Sequence, residues 1–172
     1  LSQTTTETLL ALKLGTQEYR LHLEATPEGD ALRRCHTSLP PSALAESRDP
    51  CPLLLRAGFE LQAYAAGQLH AFTIPLRPEG TPFQCRVWEA LRAIPFGQAP
   101  TYGEIARGLG KPGAARAVGQ ACRTNPLLLF IPCHRVIGSD RVPHGFAGGL
   151  ELLAALTRLE RPERRDLEKA AH

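Results

Sequence analysis

No apolar run in this sequence approaches the roughly 20 residues that a bilayer-crossing helix needs. The first residues, Leu1-Ser2-Gln3-Thr4-Thr5-Thr6, show neither the basic stretch nor the apolar stretch of a secretory signal. Cysteine is scarce and odd in number, five residues without paired spacing, which argues against a disulfide framework. A reducing, cytoplasmic setting is therefore expected, without a membrane partner. Lysine is nearly missing: Lys13, Lys111 and Lys169 are the only three, so arginine supplies most of the positive charge. No internal repeat is visible. The net charge of +3 is too small to announce a nucleic-acid binder. Its distribution is lopsided, with net −2 over residues 1–80 and net +5 over residues 81–172. The second half is the one expected to face a polyanion.

What is present is 43% hydrophobic and 22% charged, as in ordinary globular proteins, over a length that fits one domain or two small ones. Gln17 to Glu24 alternates, with Tyr19, Leu21 and Leu23 on one face and Arg20, His22 and Glu24 on the other, as a half-buried strand does. Pro27 to Asp30 reads as a turn, Ala31 to Cys35 as a returning strand, and Leu9 to Lys13 as a third strand. Pro40-Pro41 and Asp49-Pro50 bracket a loop. Pro52 to Ala65 is expected to be a helix ending at Gly67, and Leu69 to Leu76 a further strand. Arg77 to Pro82 looks like a linker, which divides the chain into residues 1–78 and 79–172.

Beyond the linker the pattern turns helical. Thr81 can cap a helix with Pro82 at its first position, and Phe83, Val87, Leu91 and Ile94 share one face. Cys85 and Trp88 are expected in the core. Thr101 can cap a second helix, Tyr102 to Leu109, and Ala114 to Arg123 forms a third, giving a helix-turn-helix plan. The third helix is unusually rich in small residues, Ala115, Ala117, Gly119 and Ala121, which let a backbone lie close to another surface. Arg116 stands among them. Cys122, on the same helix, is expected to pack inward. A glycine-rich loop, Gly145 to Gly149, precedes a last helix from Leu150 to about Glu160, and the charged tail from Arg161 is expected to fray.

The chemistry concentrates in Pro132-Cys133-His134-Arg135-Val136, which places a thiol beside a base and a cation. The apolar run Leu127 to Ile131 predicts a buried strand that presents the thiol. An unperturbed thiol is only about 3% thiolate at pH 7, so it needs an activating neighbour. On a strand His134 would point away from Cys133, so a water or a local turn would have to join them. A base is in turn oriented by a carboxylate, and Glu160 is one candidate.

Phe130-Ile131-Pro132-Cys133-His134-Arg135-Val136-Ile137-Gly138 resembles the active-site signature of the O6-alkylguanine-DNA alkyltransferases. The likeness extends to Gly80 to Gln84, Val87-Trp88, Ile94-Pro95, Thr101 to Gly103, Ile105-Ala106, Ala115 to Gly119, Thr124 to Pro126 and Gly145 to Gly149, all in family order. It covers about residues 67 to 160, whereas the first 66 fit only in their strand-strand-strand-helix plan. The resemblance implies an α/β, ribonuclease H-like N-terminal domain, a small antiparallel sheet plus a helix. A mainly α, winged helix-turn-helix-like C-terminal domain follows it.

The implied activity is direct, irreversible transfer of an alkyl group from O6-alkylguanine in double-stranded DNA, and from O4-alkylthymine as a possible second substrate. The acceptor would be Cys133, with His134 as base through a water, Glu160 orienting it, and no cofactor or metal. Tyr102 would press the nucleotide outward and donate to the departing base, and Asn125 would tie the turn before the cysteine. Arg116 would fill the gap in the stack, and Ala115, Ala117, Gly119, Arg123, Arg135 and Tyr102 would face DNA. Val136, Phe146, Ala147 and Gly148 would line the guanine pocket. The product is a thioether, so each monomer reacts once.

The chain departs from the family pattern at Leu153, where a lysine is usual, and at Phe146 and Ala147, where some relatives carry tyrosine and serine. Some relatives also hold zinc in the N-terminal domain, but Cys35, His36, Cys51 and His70 match no compact zinc spacing. A non-repairing alkylguanine-binding protein would lack the cysteine. A helix-turn-helix regulator would carry polar base readers on its third helix. A cysteine hydrolase would leave Arg116 idle.

Overall fold

The computed structural model describes residues 6–37, 50–142 and 145–161. The chain divides into two compact units between Glu79 and Gly80. The loop expected around Pro40-Pro41 and most of the charged tail lie outside the described residues.

The first unit is a three-stranded antiparallel sheet in the order β1 (Glu7–Leu14), β2 (Gln17–Ala25) and β3 (Leu32–His36), with helix α1 (Pro52–Ala65). Leu14 pairs with Gln17 across a two-residue loop, and Gly15 takes φ 61°, the left-handed conformation such hairpins require. Leu12, Leu14, Leu21 and Leu23 turn one face inward, against α1 residues Leu54, Ala57, Leu61 and Tyr64 at helical spacing. The other face is better covered than alternation alone implies. His22 and Glu24 are 7% and 8% exposed, His22 Nδ1 lies 3.1 Å from His36 Nε2, and Glu24 pairs with Arg33.

The strand expected over Leu69 to Leu76 does not form. A single parallel bridge joins Leu76 to Leu32, closed by Leu32 N–H on the Pro75 carbonyl at 2.8 Å and Arg77 N–H on the Leu32 carbonyl at 2.9 Å. The reason is local. Thr73 gives its N–H to the Glu60 carboxylate at 2.8 Å, and Pro75 has no N–H to give to a ladder.

The second unit holds α2 (Pro82–Arg92), α3 (Tyr102–Gly108), α4 (Ala115–Arg123) and α5 (Leu150–Glu160). Both α2 and α3 begin with reciprocal capping boxes, Thr81 with Gln84 and Thr101 with Glu104. The end of α4 is fastened to α2 at two points. The Trp88 indole N–H donates to the Ala121 carbonyl at 2.9 Å, and Gln84 Nε2 donates to Thr124 Oγ1 at 2.9 Å. Gly80 is required there, because a Cβ would stand 2.5 Å from the Trp88 ring. Val118, Ala121 and Cys122 face inward, leaving Arg116, Ala117, Gln120 and Arg123 exposed. Trp88 is core as expected, whereas Cys85 is half-buried.

The strand expected before the thiol is a buried turn. Leu128 bridges back to Ile131, Leu129 adopts φ 72°, and Cys133 to Arg135 wind into one turn of 3-10 helix. The Asn125 side chain closes this turn: Oδ1 accepts from Leu127 N–H at 2.9 Å, and Nδ2 donates to the Ile131 carbonyl at 2.9 Å. Among the described residues no helix is long and apolar enough to cross a membrane.

Candidate active site

Asn125 also reaches the thiol. Its Nδ2 donates to Cys133 Sγ at 3.1 Å. Cys133 is 6% exposed, and burial pushes its thiol up to about 11, opposed by the Asn125 bond and by the backbone N–H groups of Cys133 and His134. The resting Cys133 is therefore a neutral thiol, and a neighbouring base would be needed to ionise it.

His134 and Glu160 supply that arrangement. His134 Nε2 lies 2.8 Å from Glu160 Oε1, and both side chains are buried. Burial holds His134 below the usual imidazole range, against the opposing pull of the Glu160 hydrogen bond and charge. The imidazole is thus neutral at pH 7. Helix α5 brings Glu160 to this point as its last residue, and Gly97, at φ 82°, packs against the same helix end. A Cβ on Gly97 would approach the Glu160 carbonyl to 3.3 Å.

Arg135 is a correction to the sequence reading. It does not face outward toward DNA but is 5% exposed, with Nε 2.9 Å from Glu160 Oε2 and Nη2 3.0 Å from Oε1. Its Nη1 donates to the Ile94 carbonyl at 2.5 Å, and its guanidinium stacks near the Phe96 ring, 5.9 Å from the centroid. Each of its three nitrogens donates to a partner inside the protein.

Above the thiol opens a cleft of about 580 Å³. Tyr102 and Cys133 line it together with Arg116, Gly119 and Arg123 of α4. Tyr102 is pinned to the cysteine segment by its N–H on the Ile137 carbonyl, 3.1 Å, and a parallel bridge joins Thr101 to Ile137. Burial pushes the Tyr102 phenol up to about 12, so its hydroxyl stays a proton donor. Gly119 faces the ring, and a Cβ there would sit 3.9 Å from Tyr102 Cδ1, an ordinary van der Waals contact. Ala115 also lines the cleft, whereas Ala117 is exposed beside it.

Of the four expected guanine-pocket residues, Phe146 lines the cleft and packs edge-on to His134 at 6.1 Å. The other three do not. Val136 is buried at 3% exposure, Ala147 is exposed, and Gly148 is fixed by packing, because a Cβ would meet Leu128, Leu152 and Phe146 at 2.8 Å. Leu153, in the place of the usual lysine, is buried. Residues that sequence reasoning missed also line the cleft: Arg107, Gln120 and Ser139. For Arg107 a signal existed, since it lies one helical turn after Gly103 and so returns over the start of α3.

A buried thiol with a hydrogen-bonded imidazole and carboxylate, under a cleft rimmed by arginines, defines a cysteine acceptor protein that binds a polyanion. A family model described as the DNA-binding domain of 6-O-methylguanine DNA methyltransferase matches residues 82–162. The methylated-DNA–protein-cysteine methyltransferase of Methanosarcina acetivorans is 50% identical over 104 residues, 60% of this chain and 67% of the relative. That of Haemophilus influenzae is 43% identical over 122 residues, 70% of this chain and 68% of the relative. The crystal structure of Mycobacterium tuberculosis OGT in complex with DNA superposes with a TM-score of 0.75 at 37% identity, covering 91% of this chain and 92% of that one. The chain belongs to the methylated-DNA–protein-cysteine methyltransferase family.

Proposed function

We propose that the protein repairs duplex DNA by moving an alkyl group from the O6 atom of guanine to Cys133 Sγ. The observation that carries this reading is a pair of hydrogen bonds, Asn125 to Cys133 and His134 to Glu160, on adjacent residues beneath an arginine-rimmed cleft. A thiol near 11 holds only about one part in ten thousand thiolate at pH 7, so the neutral His134 must take its proton. Glu160 engages Nε2, which assigns the base role to Nδ1, with a water as the relay to Sγ. The thiolate attacks the alkyl carbon, the carbon–O6 bond breaks, and the Tyr102 hydroxyl donates toward the departing guanine. The thioether has no carbonyl for water to attack, so the protein reacts once.

The duplex would lie along α4, the helix-turn-helix formed by α3 and α4 entering the minor groove. The lesion would be rotated into the cleft and Arg116 would fill the gap; unstacking costs a few kcal/mol, less for a damaged base. The exposed Arg116, Ala117 and Arg123 support this, as do the small Ala115 and Gly119, which line the cleft. The first unit is read as the ribonuclease H-like domain of the family and the second as its winged helix-turn-helix domain, in a cytoplasmic monomer.

The test is incubation with duplex DNA containing O6-methylguanine, followed by intact-mass spectrometry and peptide mapping. One methyl on Cys133 per molecule is expected. Multiple turnovers, or a methyl on another cysteine, would overturn the reading.

A further inference from the structure

The cleft has a second cationic wall, which lies outside α4. Arg107 of α3 lines it alongside Arg116 and Arg123, and no carboxylate is among the lining residues. Arg107 is exposed, and its Nη1 lies back over the first turn of α3, 3.8 Å from where a Cβ on Gly103 would stand. Arg107 and Tyr102 of the same helix thus both line the cleft. The turn Gly138 to Val142 contributes Gly138 and Ser139 to the same lining. Arg141 is exposed on this turn, and both it and Arg107 act electrostatically on Glu104.

Glu104 does not neutralise either of them at contact. Its Oε2 is engaged by the Thr101 N–H at 2.6 Å and the Thr101 hydroxyl at 2.8 Å, in the cap of α3. Among the described residues neither Arg107 nor Arg141 has a carboxylate within ion-pair distance. Arg141 also carries an unfavourable backbone. Its φ is 65°, a conformation that suits glycine and penalises an arginine. The turn is closed by Arg141 N–H on the Gly138 carbonyl at 3.0 Å and Gly138 N–H on the Val142 carbonyl at 3.1 Å. The turn itself gains nothing from a long cation at that position.

We propose that Arg107 and Arg141 form a second phosphate-binding rim, which grips the DNA backbone on the α3 side of the cleft and holds the phosphodiesters flanking the extruded nucleotide. The proposal rests on the DNA-repair reading above and adds two binding residues to it. Arginine suits the task, because its planar fork matches a phosphate and keeps its charge at any working pH. With cations on both walls, the extruded nucleotide's backbone is held from two sides.

The test is equilibrium binding to a duplex containing O6-methylguanine, followed from 50 to 200 mM salt, with full-length Arg107→Ala, Arg141→Gly and the double variant. Each phosphate contact contributes about 0.9 to the slope of log affinity against log salt, so the double variant should lose about 1.8. Arg107→Lys and Arg141→Lys keep the charge and should keep the slope. Arg141→Gly relieves the backbone, so it should melt no lower than the parent while binding more weakly. An unchanged slope in the double variant overturns the rim, and so does an equal loss in the lysine variants. Failure of the parent to gain a methyl would sink the acceptor reading for Cys133 instead, and the slope comparison would still decide the rim.

Discussion

Replacing Asn125 by alanine tests how the acceptor thiol is held. The amide is 8% exposed and makes three hydrogen bonds, to the Ile131 carbonyl, to Cys133 Sγ and from Leu127 N–H. Alanine removes all three, with unequal consequences. The Ile131 carbonyl keeps a donor, the Cys133 N–H at 2.8 Å. The Leu127 N–H, in a residue with 0% exposure, is left without its acceptor. An orphaned buried donor costs about 1–3 kcal/mol, and each lost bond about 0.5–1.5 kcal/mol more. With the Leu127 N–H orphaned and two further bonds lost, a loss of about 2–6 kcal/mol is expected, which lowers the melting temperature of a unit this size by roughly 10 °C or more. Reactivity should fall independently. The Asn125 bond favours the thiolate, so its removal moves the thiol further above about 11. The assay pairs calorimetric melting with single-turnover transfer from duplex DNA at a temperature where both proteins are folded. A variant within about 1 kcal/mol of the parent, or one transferring at the parent's rate, would refute the reasoning.

Three further predictions concern charge. The buried Cys133 thiol binds its proton more tightly folded than unfolded, so its contribution is fully present below pH about 8.5 and fades as pH rises toward about 11. Denaturant titrations at stepped pH should show this loss, and Cys133→Ser should shrink it; an unchanged slope would contradict a buried neutral thiol. His134 has the opposite sign, since its lowered pKa means stability falls as pH drops below about 6.5. Arg135→Leu removes the guanidinium from a buried carboxylate and should cost about 3–5 kcal/mol, with no change in the salt slope of DNA binding. A reduced slope at near-parental stability would restore Arg135 to the DNA surface.

The legible parts of the fold were those encoded by local chemistry. Thr81 with Pro82 and Gln84, and Thr101 with Glu104, are helix starts written in side chains, and both caps form in the structure. Pro52 and Gly67 likewise bounded α1, whose buried face then carries Leu54, Ala57, Leu61 and Tyr64. The parts that sequence could not yield depend on which partner a polar group finds. Leu127 to Ile131 is apolar throughout, and such a run reads alike as a buried strand or a buried turn. What decides is one amide, Asn125, which takes a backbone donor and acceptor from both arms of the turn. The strand missing over Leu69 to Leu76 follows the same rule, with Glu60 taking the Thr73 N–H.

The turn also changes how the site works. On a strand, Cys133 and His134 would point to opposite faces, and Arg135 would return to the thiol side. A 3-10 turn has three residues per revolution, so three successive side chains diverge by about 120°. The thiol can then face the cleft while His134 and Arg135 both turn inward to one carboxylate. Glu160 receives His134 through Oε1 and Arg135 through both oxygens. The guanidinium offsets the charge of a carboxylate that is otherwise costly to bury, and its own charge holds His134 down. Burial is the larger cause of the low His134 pKa, and Arg135 adds to it from beneath the cleft.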